Sequence, residues 1–220
     1  AGLFKPIGKW SGRTLVTVAM GHEISVTPLQ LAAAYAAMAN GGVLYAPRLV
    51  KRLLRDGEVV KEFSPVPVRR IVKQQTAERL IRCFQSVVDL PEGTGKMAKI
   101  EGLAIAGKTG TAEKVDSETG LYQKDKYHAS FVGFFPVDRP VFLCLVGLNE
   151  PKKIHTGGLT AAPVFRNIAV RLLHSPDLAY GAQCLVRLAE SPLPEGRVNP
   201  ETALKAVAVD SLAGVPNVVG

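Results

Sequence analysis

From residue 103 onward the apolar residues stop recurring at helical spacing and run almost without a break, as "LAIAGKTGTAEK", "HASFVGFFPV" and "VFLCLVGLN". Only the tight Asp138-Arg139-Pro140 turn separates the last two runs. Such close connections join antiparallel neighbours, because a parallel crossover needs a dozen residues or more. Runs this apolar belong to a sheet covered on one or both faces. The segment "AAPVFRNIAVRLLH", residues 161 to 174, has the apolar spacing of a helix laid against such a sheet. The expected architecture is therefore an α/β fold of the α+β kind, an antiparallel sheet packed with helices.

Upstream, "ISVTPLQLAAAYAAMANGG" reads as a helix with Thr27 as N-cap, Pro28 at the first helical position and Gln30 completing a capping box. Asn40-Gly41-Gly42 stops it. We expect this helix to stand at some distance from the sheet. "VLYAPRLVKRLL" and "EVVKEF" flank Asp56-Gly57, the signature of a hairpin with a primed turn, and Pro65 and Pro67 then break the pattern. A further helix begins near Thr76 and carries Leu80, Ile81, Phe84, Val87 and Val88 on one face until Pro91 and Gly93. Beyond residue 180, "SPLPEGRVNPETA" has the composition of a linker.

A chain of 220 residues holds one sizeable core, and 47% hydrophobic with 21% charged residues places it among folded rather than disordered proteins. No window is long and apolar enough to span a bilayer. The opening "AGLFKPIGKW" is neither a signal peptide nor an initiator-methionine context, so the chain reads as a piece of something longer. Its net charge of +8 comes from dispersed Lys and Arg, which fits a solvated basic surface better than a nucleic-acid site. Cys83, Cys144 and Cys184 are odd in number and far apart, and His22, His128, His155 and His174 lack ligand-like spacing. We expect no metal, no cofactor and no nucleic-acid partner. Cys144 inside "VFLCLVGL" reads as a small core residue.

The stretch "EGLAIAGKTGTAEK", residues 101 to 114, has two incompatible readings. Gly102 followed by Gly107-Lys108-Thr109 fits the phosphate-loop pattern G-x-x-x-x-G-K-[ST]. Lys108-Thr109-Gly110 is equally the lysine triad of penicillin-recognising serine enzymes. A phosphate loop needs a buried strand entering the first glycine and a helix leaving the Lys-Thr. Here "GTGKMAKIE" before Gly102 is charged and broken, the supposed loop is the apolar part, and the glycines and β-branched residues after Thr109 oppose a helix. The context favours a strand bearing Lys108-Thr109-Gly110, then a polar loop and a return strand. ATP titration discriminates: saturable Mg²⁺-dependent binding belongs to the nucleotide reading alone.

Joined to its surroundings, this strand gives a specific likeness. "GHEISVTPLQLAAAYAAMANGG", "EGTGKMA", "IAGKTGTAEK", "HASFVGFFP" and "GGLTAAPVFRNI" occur in that order. The chain resembles the C-terminal half of a class B penicillin-binding protein transpeptidase domain, of the division type. The resemblance covers residues 15 to 174 and implies the penicillin-binding protein/β-lactamase-like transpeptidase fold in part. It divides the chain into residues 1–180 of the transpeptidase domain, a linker over 181–211 and, because "AGVPNVVG" resembles its opening, the start of a PASTA domain at 212–220.

The resemblance further implies a serine-type D,D-transpeptidase acting on D-Ala-D-Ala stem peptides and binding β-lactams. Its parent would be anchored in the bacterial cytoplasmic membrane by an N-terminal segment absent here, would face the periplasm or cell exterior, and would work with divisome proteins. Lys108 would supply positive potential, Thr109 a hydroxyl for the substrate carboxylate, Gly110 room for close approach and the Thr111 N–H one oxyanion donor. The family's S-x-x-K and S-x-N motifs are missing, since no serine here has Lys three residues on or Asn two residues on. Both are expected upstream of Ala1, so this chain alone is expected to be inactive. Another reading, a noncatalytic scaffold that recognises wall peptide or division partners, is separated from the enzyme by those upstream motifs. Thr27, Pro28, Gln30, Thr94 and Gly95 read as caps and turns, and His128 as a structural histidine.

Overall fold

The computed structural model describes residues 2–116 and 122–175. At the N-terminal end, β1 (Leu3–Phe4) pairs antiparallel with β2 (Ile24–Ser25), and α1 (Thr14–Ala19) lies between them in sequence. Glu23 ties this unit together from a left-handed backbone position, φ 57°. Its carboxylate accepts from Thr17 Oγ1 at 2.7 Å, Lys5 Nζ at 3.0 Å and Thr14 Oγ1 at 3.2 Å. These donors, Thr17 foremost, hold the Glu23 carboxyl below the ordinary carboxylate range.

Helix α2 (Pro28–Ala39) starts with the expected capping box: Thr27 Oγ1 accepts from Gln30 N at 3.2 Å, and Gln30 Oε1 accepts from Thr27 N at 2.9 Å. Its place in the fold differs from expectation. It lies close to the sheet rather than at a distance from it, and it also meets the next long helix, where the Tyr35 and Phe84 rings sit 5.2 Å apart. The alanines on either side of Tyr35, of which Ala37 is wholly buried, help the approach, because short side chains let a helix backbone come near its neighbours.

The "VLYAPRLVKRLL" run is not one strand. β3 (Val43–Tyr45) pairs with β6 (Pro67–Arg70), while β4 (Arg52–Arg55) and β5 (Glu58–Glu62) form the hairpin. Asp56 and Gly57 both have positive φ, 52° and 86°, as a primed turn of type I′ requires. Pro67 opens β6 instead of ending the pattern, which its missing N–H allows at the first residue of a strand. Helix α3 (Gln74–Asp89) follows, beginning two residues before Thr76.

The main sheet has three strands in the order β7 (Ala106–Val115), β8 (Tyr122–Phe135), β9 (Phe142–Asn149), all antiparallel. β7 starts three residues after Leu103, and β8 extends six residues upstream of His128 as a ribbon with the far half of β7. Helix α4 (Gly157–Leu173) covers the sheet and begins a turn before Ala161, with Pro163 inside it. The core gathers Phe131 and Phe135 of β8, Phe165, Val170 and Leu173 of α4, Val88 of α3, and Ile100 and Ile105. Phe165 meets Phe131 and Phe135 edge-on at 4.9 and 5.8 Å between ring centres. Cys144 packs partly buried against this core, and burial pushes its thiol up to about 11, as fits a small packing residue. The linker over 181–211 and the 212–220 segment lie outside the described residues, as does Cys184.

Candidate active site

No helix begins at Thr109; residues 106–115 are strand throughout, so the chain lacks the strand-loop-helix of a phosphate loop here. β7 is an edge strand of the three-stranded sheet, paired with β8 on one side. The register sets Lys108 opposite Val132, Thr109 opposite Phe131, Gly110 opposite Ser130 and Thr111 opposite Ala129. Side chains opposite one another share a face. Thr109 and Thr111 therefore lie on the face that packs on α4, and Lys108 and Gly110 on the other.

Each of the four has a defined environment. Lys108 is exposed, and its Nζ donates to the Thr109 carbonyl at 2.8 Å, which folds the cation back along the strand. Thr109 Oγ1 lies 2.9 Å from Thr94 Oγ1. A Cβ on Gly110 would stand 2.4 Å from Ser130 Oγ, a contact that turning the Ser130 hydroxyl would relieve, with no backbone atom in its way. Thr111 Oγ1 accepts the Gly157 N–H at 3.0 Å, joining the strand to the first residue of α4. That helix start fits only because it carries no side chain. A Cβ on Gly157 would lie 2.2 Å from Ser130 O and 2.4 Å from Gly110 O, and one on Gly158 would lie 2.0 Å from Thr94 O.

The far half of β7 is tethered as well. Lys114 Nζ reaches Asn149 Oδ1 at 3.2 Å and pairs with the Glu150 carboxylate. The Lys114 hydrogen bond draws the Glu150 carboxyl below its ordinary range, with Lys126 and His128 adding smaller effects of the same sign.

A family model described as the penicillin binding protein transpeptidase domain matches residues 1–169. The chain belongs to the penicillin-binding protein transpeptidase family. Penicillin-binding protein PbpB of Mycolicibacterium smegmatis is 38% identical over 191 residues, which cover 80% of this chain and 29% of that protein. Stage V sporulation protein D of Bacillus subtilis is 37% identical over 170 residues, 76% of this chain and 26% of the relative. Peptidoglycan D,D-transpeptidase FtsI of Escherichia coli is 34% identical over 179 residues, 81% and 28% respectively. The transpeptidase chain thus spans less than a third of the length of these relatives.

Among solved structures, penicillin-binding protein 3 of Mycobacterium tuberculosis complexed with ampicillin superposes with a TM-score of 0.70 at 36% identity, covering 81% of this chain and 42% of that one. The aztreonam complex of the same protein gives 0.69 at 36%, covering 79% and 40%. The fold is accordingly part of a class B penicillin-binding transpeptidase domain, with mixed helices and antiparallel sheets. Lys108 to Thr111 share one strand, as their sequence predicts, and Thr94, Gly157 and Gly158 meet that strand although their local sequence marks no such contact. The spacing of "EGTGKMA" and "GGLTAAP" marks family segments without showing that they meet at the strand.

Proposed function

We propose that this chain is one wall of the active site of a peptidoglycan D,D-transpeptidase. The observation that carries the reading is an edge strand bearing Lys108-Thr109-Gly110-Thr111 in a chain of this family. An extended stem peptide ending in D-Ala-D-Ala would lie along that edge as an added strand. Lys108 would raise the local positive potential beside the nucleophile and the substrate carboxylate. Thr109 would offer its hydroxyl to that carboxylate, and Gly110 would admit the substrate backbone.

The Thr111 N–H would donate to the developing oxyanion. In an antiparallel strand, residues two apart present their backbone groups to the same edge, so Thr111 shares its edge with the Thr109 carbonyl that Lys108 Nζ reaches. The bond from Gly157 N to Thr111 Oγ1 holds the donor residue in place. The nucleophile would come from the S-x-x-K serine of the other half of the domain. Its Oγ would attack the penultimate D-Ala carbonyl and expel the terminal D-alanine, and an acceptor amine would then displace the serine from the ester. A β-lactam would enter the same path and stop at the acyl-enzyme, as suits a family whose M. tuberculosis member is known with ampicillin and aztreonam.

The reading extends to the whole protein: residues 1–180 in the transpeptidase domain, a linker and then a PASTA opening, a membrane-anchored parent with this domain outside the cytoplasm, and divisome partners. Among the described residues no helix is long and apolar enough to cross a membrane. The test is D-alanine release from a D-Ala-D-Ala stem peptide by an intact transpeptidase that carries this chain behind S-x-x-K and S-x-N. We expect release that ampicillin abolishes. Peptide binding without release would point instead to the noncatalytic scaffold.

A further inference from the structure

Thr94 sits in the turn after α3 between two glycines that cannot be replaced without collision. A Cβ on Gly93 would lie 2.4 Å from Val87 O, and one on Gly95 would lie 2.9 Å from Phe131 Cε2. Hydrogen bonds from Gly93 N to Leu90 O and from Gly95 N to Val87 O, both 2.9 Å, pin the turn to the end of α3. On its other side, the Thr94 carbonyl occupies the place a Gly158 side chain would fill. An exposed threonine is thus held rigidly from two directions, with its Oγ1 2.9 Å from Thr109 Oγ1.

We infer that Thr94 is a positioning residue that aims the Thr109 hydroxyl proton at the substrate carboxylate, an inference that rests on the function proposed above. A hydroxyl has one proton to give and two lone pairs to receive. A carboxylate only accepts. Once it is bound to Thr109, the Thr109 proton points at it, and the short contact between the two threonines survives only if Thr94 donates. The chain then runs from Thr94 to Thr109 to carboxylate, and each bond polarises the next. Without the Thr94 donor, the Thr109 hydroxyl loses both its fixed rotor and that polarisation.

The test uses an intact transpeptidase carrying this chain behind S-x-x-K and S-x-N, with benzylpenicillin and its methyl ester as probes. The isosteric Thr94→Val should lower the second-order acylation constant for benzylpenicillin about tenfold, the scale of one hydrogen bond feeding a charged acceptor, and leave the ester nearly unchanged. Thr94→Ser should restore the discrimination between acid and ester. Equal losses for both probes, or none for either, would overturn the inference while leaving the transpeptidase reading intact. A wild-type protein that neither probe acylates would overturn that reading, and this inference with it.

Discussion

The surroundings of Lys108 give a sharp expectation. Its ammonium touches only the Thr109 carbonyl among the hydrogen bonds described, and it is exposed. Replacing it with Ala in the intact enzyme should therefore leave the thermal melt almost unmoved, since an exposed lysine contributes little net stability. Acylation by a β-lactam should fall by roughly 10²-fold or more, the scale of losing one electrostatic contributor to a transition state. Stopped-flow rates decide between this and a lysine that merely guards an edge strand from aggregation, for which acylation would not change. Gly158 makes the opposite prediction. Its missing Cβ would fall 2.0 Å from a backbone carbonyl, so Gly158→Ala should cost about 1–3 kcal/mol in denaturant unfolding despite alanine's better helix propensity. Gly147→Ala, into open space, should stay within about 0.5 kcal/mol.

Among the elements, the sheet and its helix were legible because β8 and β9 are joined by a short turn and the apolar runs are long. The α2 start was legible because a capping box is a local device, complete within Thr27 to Gln30. The pairing of β3 with β6 was not: more than twenty residues separate them, and sequence shows which segments are extended but not which distant ones meet. The nearness of α2 to the sheet and of Thr94 to Thr109 escaped for the same reason. Both depend on tertiary approach through small residues, the alanines on either side of Tyr35 in one case and Gly93, Gly95 and Gly158 in the other. Two elements offer direct checks. Phe165 meets two phenylalanines of β8 and is wholly buried, so Phe165→Ala should destabilise by about 3–5 kcal/mol in chemical denaturation.

The β1–β2 and α1 unit should respond to acid through Glu23. Its folded carboxyl is depressed, so the stabilisation it gives is complete above the ordinary carboxylate pKa and is lost as pH falls through the lowered value. Amide exchange in residues 3–25 should quicken over that acid range. Glu23→Gln should flatten the dependence, and an unchanged profile in the variant would remove Glu23 as its cause.

At the scale of the whole molecule, this chain would be one half of a bipartite cleft. On the proposed function it would carry the strand that recognises and polarises substrate, and the nucleophile would belong to S-x-x-K, a motif that no serine in the chain satisfies. The oxyanion donor proposed at Thr111 would not make up for that, because such a donor stabilises an intermediate that only a nucleophile forms. The most direct measurement is covalent labelling by fluorescent penicillin, read on a denaturing gel where only adducts survive. The 220-residue chain alone should show no labelled band, and the same chain joined to an S-x-x-K and S-x-N half should show one that disappears when the S-x-x-K serine is replaced. A band from the 220-residue chain, lost on mutating one of its own serines, would contradict the account by placing the nucleophile within it.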